Sequence, residues 1–241
     1  MTEEAKRNST TVDNYFVYAM KIMKENEEFL RSNAKGTYEE IIDLINDTID
    51  LVGYAVNRKD GREDYVKRSM VFFLHNILMP SSYAIYIDLL IGNLPACFME
   101  LRLMLESLTK CYLADLKYPE QNFFQRKLEL LEKETKDKKG EEVPKREHDF
   151  IKEFDEIINL DVESVKLWGK LSKDWVHTKG VVDRIVSQIS EKSGPPSWAL
   201  VIPMNYSESD LDTIKELGKR ISQFRKLLKV TIENYKQISW C

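Results

Sequence analysis

The segment from Gly92 to Tyr118, GNLPACFMELRLMLESLTKCYLADLKY, constrains the fold of this chain more than any other. Asn93 can cap a helix, and Pro95 falls just inside it, where a missing N–H costs nothing. Pro119 cannot extend a helix that has run through Tyr118. Between them Leu101, Leu103, Met104, Leu105, Leu108, Tyr112 and Leu113 place apolar groups on nearly every face, the mark of a helix surrounded by others. Arg102, Glu106 and Lys110 recur at i, i+4 and i+8 and so stack on one side. Charge removed from water must be paired. The stripe is therefore either a structural ion-pair row or the floor of a site.

The rest of the chain fits a bundle around such a helix. Of 241 residues, 43% are hydrophobic, enough for a substantial core in one domain, and only nine are Gly and seven Pro, too few for a turn-rich β protein. The expected fold is all-α: a single domain over 1–241, about eight to ten helices packed around a central buried helix at about 93–117. Abundant Lys and Glu suit a protein from a hot environment. Cys97, Cys111 and Cys241 have no metal-binding spacing, and Cys97 and Cys111 on one helix are about 21 Å apart, too far to bridge. Sparse thiols and an N-terminus without an apolar signal core lead us to expect a reduced, cytoplasmic protein. Met70 to Ile91 is strongly apolar, but His75, Asn76, Pro80, Ser81, Ser82 and Asp88 interrupt it. That pattern predicts two buried helices meeting at Pro80-Ser81-Ser82, with no membrane partner.

Taken in order, Val12, Tyr15, Phe16, Ala19, Met20, Met23 and Leu30 keep a helical period through a first helix over 11–32, ended by Gly36. Thr37-x-x-Glu40 reads as a capping box opening a second helix, and Lys59-Asp60-Gly61 as the turn after it. Residues 132–147, EKETKDKKGEEVPKRE, hold one apolar residue and are expected to form a mobile charged loop, His148 included. Asp161 is placed to cap a helix containing Trp168, a further helix is expected over about 181–189, and Trp198 to Ile202 lies in an extended crossover between prolines. The last helix, about 209–238, carries an apolar stripe from Leu211 to Tyr235 and a basic opposite face. From Leu211 onward seven Lys or Arg face three Asp or Glu, a balance of +4 in a chain of −4, so the remainder carries −8.

The common enzyme templates are missing. No strand-linked Gly-rich loop supports a nucleotide cofactor, no paired His spacing supports a metal, and no GxSxG marks an acyl nucleophile. No cofactor and no metal are expected. The most reactive candidate is His177, where an apolar helix gives way to a polar bend ending in Gly180, a setting that can hold an imidazole near its working pKa. A cationic His at a helix C-terminus is also a plain structural feature. The segment Leu167 to Gly180, LWGKLSKDWVHTKG, resembles the final motif of the HEPN superfamily of helical domains. The resemblance implies a metal-independent ribonuclease, often dimeric, in which His177 serves in acid–base or phosphate contact. Lys170 stands where that family has a phosphate-steadying Arg and offers a point charge in place of a fork. Arg68-Ser69 followed by His75 matches the same loose pattern inside an apolar run, where His75 reads as a core histidine. The chain also resembles uncharacterised helical families with Arg-x-x-x-Glu on one helix and a late Leu-Ser-x-x-x-x-His, here Arg102, Glu106, Leu171, Ser172 and His177.

Two functions follow. One is a non-catalytic interaction or regulatory module that self-associates, with an acidic protein or RNA as a further partner at the basic last helix. The other is a HEPN-like ribonuclease with His177 as acid–base group, Glu106 orienting it, and Lys170 or Arg102 meeting phosphate.

Overall fold

In the computed structural model the described residues are 3–57, 69–121, 123–133, 135–136, 142–143, 145–159, 163–174 and 203–237. His177, Asp161, Cys241, the turn at 59–61, the helix expected near 181–189 and the strand-like 198–202 lie outside them. The helices are α1 (Glu3–Asn33), α2 (Lys35–Asn57), α3 (Met70–Leu90), α4 (Leu94–Lys117), α5 (Phe124–Glu132), α6 (Glu147–Ile158), α7 (Glu163–Asp174) and α8 (Leu211–Gln237), the last preceded by a single 3-10 turn, Glu208–Asp210. The fold is an all-α bundle, as expected.

α4 is its spine. It runs from Leu94 to Lys117 within the limits drawn by Asn93, Pro95 and Pro119, and α3, α5, α6, α7 and α8 all pack on it. Leu101, Met104, Leu105, Leu108 and Leu113 are fully buried. The burial is not all round: Met99 and Leu103 face water, at 54% and 46% exposure. Asn93 does not cap with its side chain; its amide donates to Asp88 Oδ1 at 3.0 Å.

Three local expectations are corrected by packing. Pro80-Ser81-Ser82 does not divide two helices, because α3 is continuous through Pro80. The carbonyl that loses its donor belongs to Asn76, which is exposed, as is Pro80. On the inner side Ser82 Oγ donates back to the Met79 carbonyl (2.7 Å), Thr48 Oγ1 of α2 donates back to the Ile45 carbonyl (2.8 Å), and the two hydroxyls meet at 3.1 Å between the helices. Among the described residues α3 alone is long and apolar enough, by length and composition, to cross a membrane; here it packs between α2 and α4. Thr37 does not open a capping box either. α2 already begins at Lys35, separated from α1 only by Ala34, and Thr37 Oγ1 donates to the Ile214 carbonyl of α8 at 3.1 Å. Gly218 makes that crossing possible, since a Cβ there would lie 2.4 Å from Thr37 Oγ1. Within the stretch expected to be a loop, Thr135–Lys136 pairs antiparallel with Glu142–Val143, Lys145 binds Glu153, and Glu147 opens α6. His148 therefore sits on the first turn of a helix.

Side chains close the joints between elements. Asp155 of α6 accepts the Ser164 and Val165 N–H groups at 3.0 Å each, supplying the first turn of α7 with a cap from a neighbouring helix. Arg225 of α8 binds Glu40, Asp43 and Asp47 of α2 at 2.6, 3.0 and 2.6 Å. Buried Asn26 of α1 donates to the Leu90 and Met204 carbonyls (2.8 Å each) and accepts the Tyr206 N–H (2.9 Å), so one amide ties the returning chain to the end of α3.

Candidate functional site

The stripe on α4 is half-buried: the side chains of Arg102, Glu106 and Lys110 are 23%, 21% and 24% exposed. Each is answered. Arg102 Nε donates to Glu106 Oε1 at 2.7 Å, and the same oxygen accepts the indole N–H of Trp168 on α7 at 2.7 Å. The Arg102 guanidinium lies over the Trp168 ring, 5.4 Å from its centroid, a cation–π contact. Lys110 binds Glu147 at the start of α6 at 2.5 Å. His148 joins the group edge-on, its ring 6.0 Å from Trp168. The helical period explains the gathering: positions 102, 106 and 110 share one face of α4, and α6 and α7 lie over it.

The structure thus brings Arg102 and Glu106 together with Trp168 and His148. Lys170 is exposed on α7, two positions from Trp168, which turns it about 200° away around the helix. His177 lies beyond the described residues. Glu106 already accepts two charged or polar donors on one oxygen, which suits a fixed joint between α4 and α7. Replacing Glu106 by Ala should leave the half-buried indole N–H and one face of Arg102 without this acceptor, at a cost of about 1 kcal/mol. Thermal melting and a red shift of Trp168 emission in a variant whose other tryptophans are replaced would register it. Among the described residues no three His, Cys, Asp or Glu side chains are grouped to hold a metal ion.

A second ionic site went unread in the sequence. Asp115 of α4 and Lys127 of α5 are both fully buried and 2.8 Å apart. Asp115 also accepts the Met70 N–H at 2.9 and 2.8 Å and the Ser69 hydroxyl at 3.3 Å, so it closes the N-terminus of α3. Burial pushes the Asp115 carboxyl up to about 6, against the downward pull of Lys127, the Met70 N–H and Ser69. The visible signal was an acid alone within the apolar run Cys111 to Leu116. His75 is half-buried beside Phe72, ring centroids 5.0 Å apart, and burial lowers its pKa, as a packed and neutral imidazole requires. Cys97 and Cys111 are buried free thiols, and burial pushes the Cys111 thiol well up, away from reactivity.

Two surface features complete the picture. On α1 the apolar stripe divides: Phe16 and Met20 are 62% and 65% exposed, whereas Met23 packs against the core and Leu30 is fully buried. Between the α1–α2 junction and α8 runs a groove of about 610 Å³ whose walls carry Lys35, Lys215, Lys219 and Lys226. No family model, curated protein or solved structure matches this chain.

Proposed function

We propose that the protein is a non-catalytic helical interaction or regulatory module that self-associates through the N-terminal half of α1. The observation that supports this reading is the reversal on α1. Val12, Tyr15, Phe16, Ala19, Met20 and Met23 recur at the spacing of a packing seam, yet Phe16 and Met20 stand in water. A helix of that composition gains little by standing alone and much by covering the seam.

A second copy is the occupant that fits. An amphipathic helix is complementary to itself when two copies run antiparallel about a two-fold axis. An axis near Tyr18 sets Asp13 of each copy beside Lys21 and Lys24 of the other, so opposite charges flank the apolar seam. The ribonuclease alternative draws less support, because Arg102 and Glu106 are engaged with Trp168 and Lys170 is turned away from them.

Sedimentation velocity across a wide concentration range tests the reading. Wild type should be a concentration-dependent dimer. The double substitution Phe16→Asp and Met20→Asp should weaken association at least about 1,000-fold while leaving the melting of the monomer body in place. A wild type that stays monomeric throughout, or a double variant that assembles as wild type does, ends the proposal.

A further inference from the structure

The groove beside α8 has a composition that selects its ligand. One wall is a single stripe of α8, where Lys215, Gly218, Lys219, Ser222, Gln223 and Lys226 recur at helical spacing. The other wall is the α1–α2 junction, with Lys35 and Glu40. The absence of a side chain at Gly218 lets the walls meet at Thr37, and open space borders Gly36.

The charges in this groove are unevenly answered. Glu40 is bound to Arg225 at 2.6 Å, and Lys35 lies 3.5 Å from Glu39. Lys215, Lys219 and Lys226 have no carboxylate partner among the described residues, although the chain as a whole is acidic. The neighbouring cations of the same helix, Arg220, Arg225 and Lys229, are all paired with carboxylates. Among the cations of α8 whose side chains are described, those without a carboxylate partner thus all lie on the groove.

We infer that this groove binds a compact, multiply phosphorylated anion that carries no aromatic base. Three properties of the lining lead there. Lysines present movable point charges suited to several phosphoryl oxygens, whereas a single planar carboxylate or phosphate is better held by an Arg fork. No aromatic side chain lines the groove, so there is no platform on which a nucleobase could stack. Ala34 is the one apolar side chain in the lining, the rest of its apolar surface coming from glycines and the stems of polar side chains, so no large apolar side chain offers the kind of centre a protein partner buries. The Ser222 hydroxyl and Gln223 amide add neutral hydrogen-bonding groups between the lysines. This site is separate from the α1 seam and stands or falls independently of self-association.

Isothermal titration with inorganic tripolyphosphate at physiological ionic strength tests the inference, with orthophosphate, a poly-glutamate peptide and a single-stranded RNA oligonucleotide as parallel ligands. Tripolyphosphate should bind one per chain and more tightly than the other three. The triple substitution Lys215→Gln, Lys219→Gln and Lys226→Gln should weaken it about tenfold or more, and Ser222→Glu, which puts a carboxylate into the groove, should do the same. Lys166→Gln with Lys173→Gln on α7 should leave it unchanged. Melting curves of the variants establish that each is folded. Failure of tripolyphosphate to bind, equal binding by the triple variant, or tighter binding of RNA or poly-glutamate would overturn the assignment.

Discussion

Replacing Lys127 by Met should destabilise the protein by about 3–5 kcal/mol, the usual cost of leaving a buried charge without its partner. The ammonium and the Asp115 carboxylate are both fully buried, so neither can turn to water when the other is removed. The remaining carboxylate would keep the Met70 N–H and the Ser69 hydroxyl but lose its counter-charge. Adding Asp115→Asn to Lys127→Met should restore much of the loss. The amide oxygen can still accept the Met70 N–H, and no net charge is left inside. Denaturant melts of the wild type and the three variants form a double-mutant cycle; additive losses from the two single changes would contradict the coupling. The pair also gives a pH signature. The folded carboxyl, at about 6, lies above the ordinary aspartate value of 3.8, so folding takes up a proton between them. Its stabilising contribution is complete below the lower value and is lost as pH rises through about 6. Wild type should therefore lose stability relative to Asp115→Asn on going from pH 4 to 6, and a flat difference would refute that assignment.

Gly92→Ala should cost about 3 kcal/mol, a large effect for the addition of one methyl group. Gly92 has φ of +80°, where an L side chain is strained by about 1–2 kcal/mol. Its Cβ would also sit 2.4 Å from the Met204 carbonyl oxygen, which is backbone and cannot swing aside. That carbonyl accepts from Asn26, and the Met204 N–H donates to Ile91 at 3.0 Å. Relief of the clash would have to separate these strands of backbone, at about 1 kcal/mol for each hydrogen bond lost. The variant should melt lower, with chemical-shift changes confined to the α3–α4 turn, α1 near Asn26 and residues 203–206. Unchanged stability would mean that the turn and the returning chain do not meet as described.

The limits of α4 were legible because they rest on local chemistry: Pro95 fits a first turn and Pro119 cannot follow a last one. The reading of Pro80-Ser81-Ser82 as a break failed because the helix packs on α2 and α4 along its length, and that packing, Thr48 against Ser82 included, has no trace in the local sequence. Thr37 misled for the same reason, as its hydroxyl is used across the bundle by Ile214. Periodicity placed an apolar stripe on α1 but could not say which part of it the bundle buries: Leu30 is in the core, while Phe16 and Met20 are exposed. Of the ionic groups, the Arg102–Glu106 pair could be read from four-residue spacing, while Trp168 and His148 reach it only through the packing of α6 and α7. Asp115 and Lys127 were out of reach because their pairing depends on the crossing of α4 and α5.

The central claim is that residues 94–117 form a largely buried spine whose charges are answered partly within the helix, Arg102 by Glu106, and partly from other helices, Glu106 by Trp168, Lys110 by Glu147 and Asp115 by Lys127. Native-state hydrogen exchange tests it most directly. The amides from Leu101 to Leu113 should be the slowest in the protein and exchange only through global unfolding, with the exposed half of α1 among the fastest. Exchange of the α4 amides at the rate of that exposed half would contradict the account at its root.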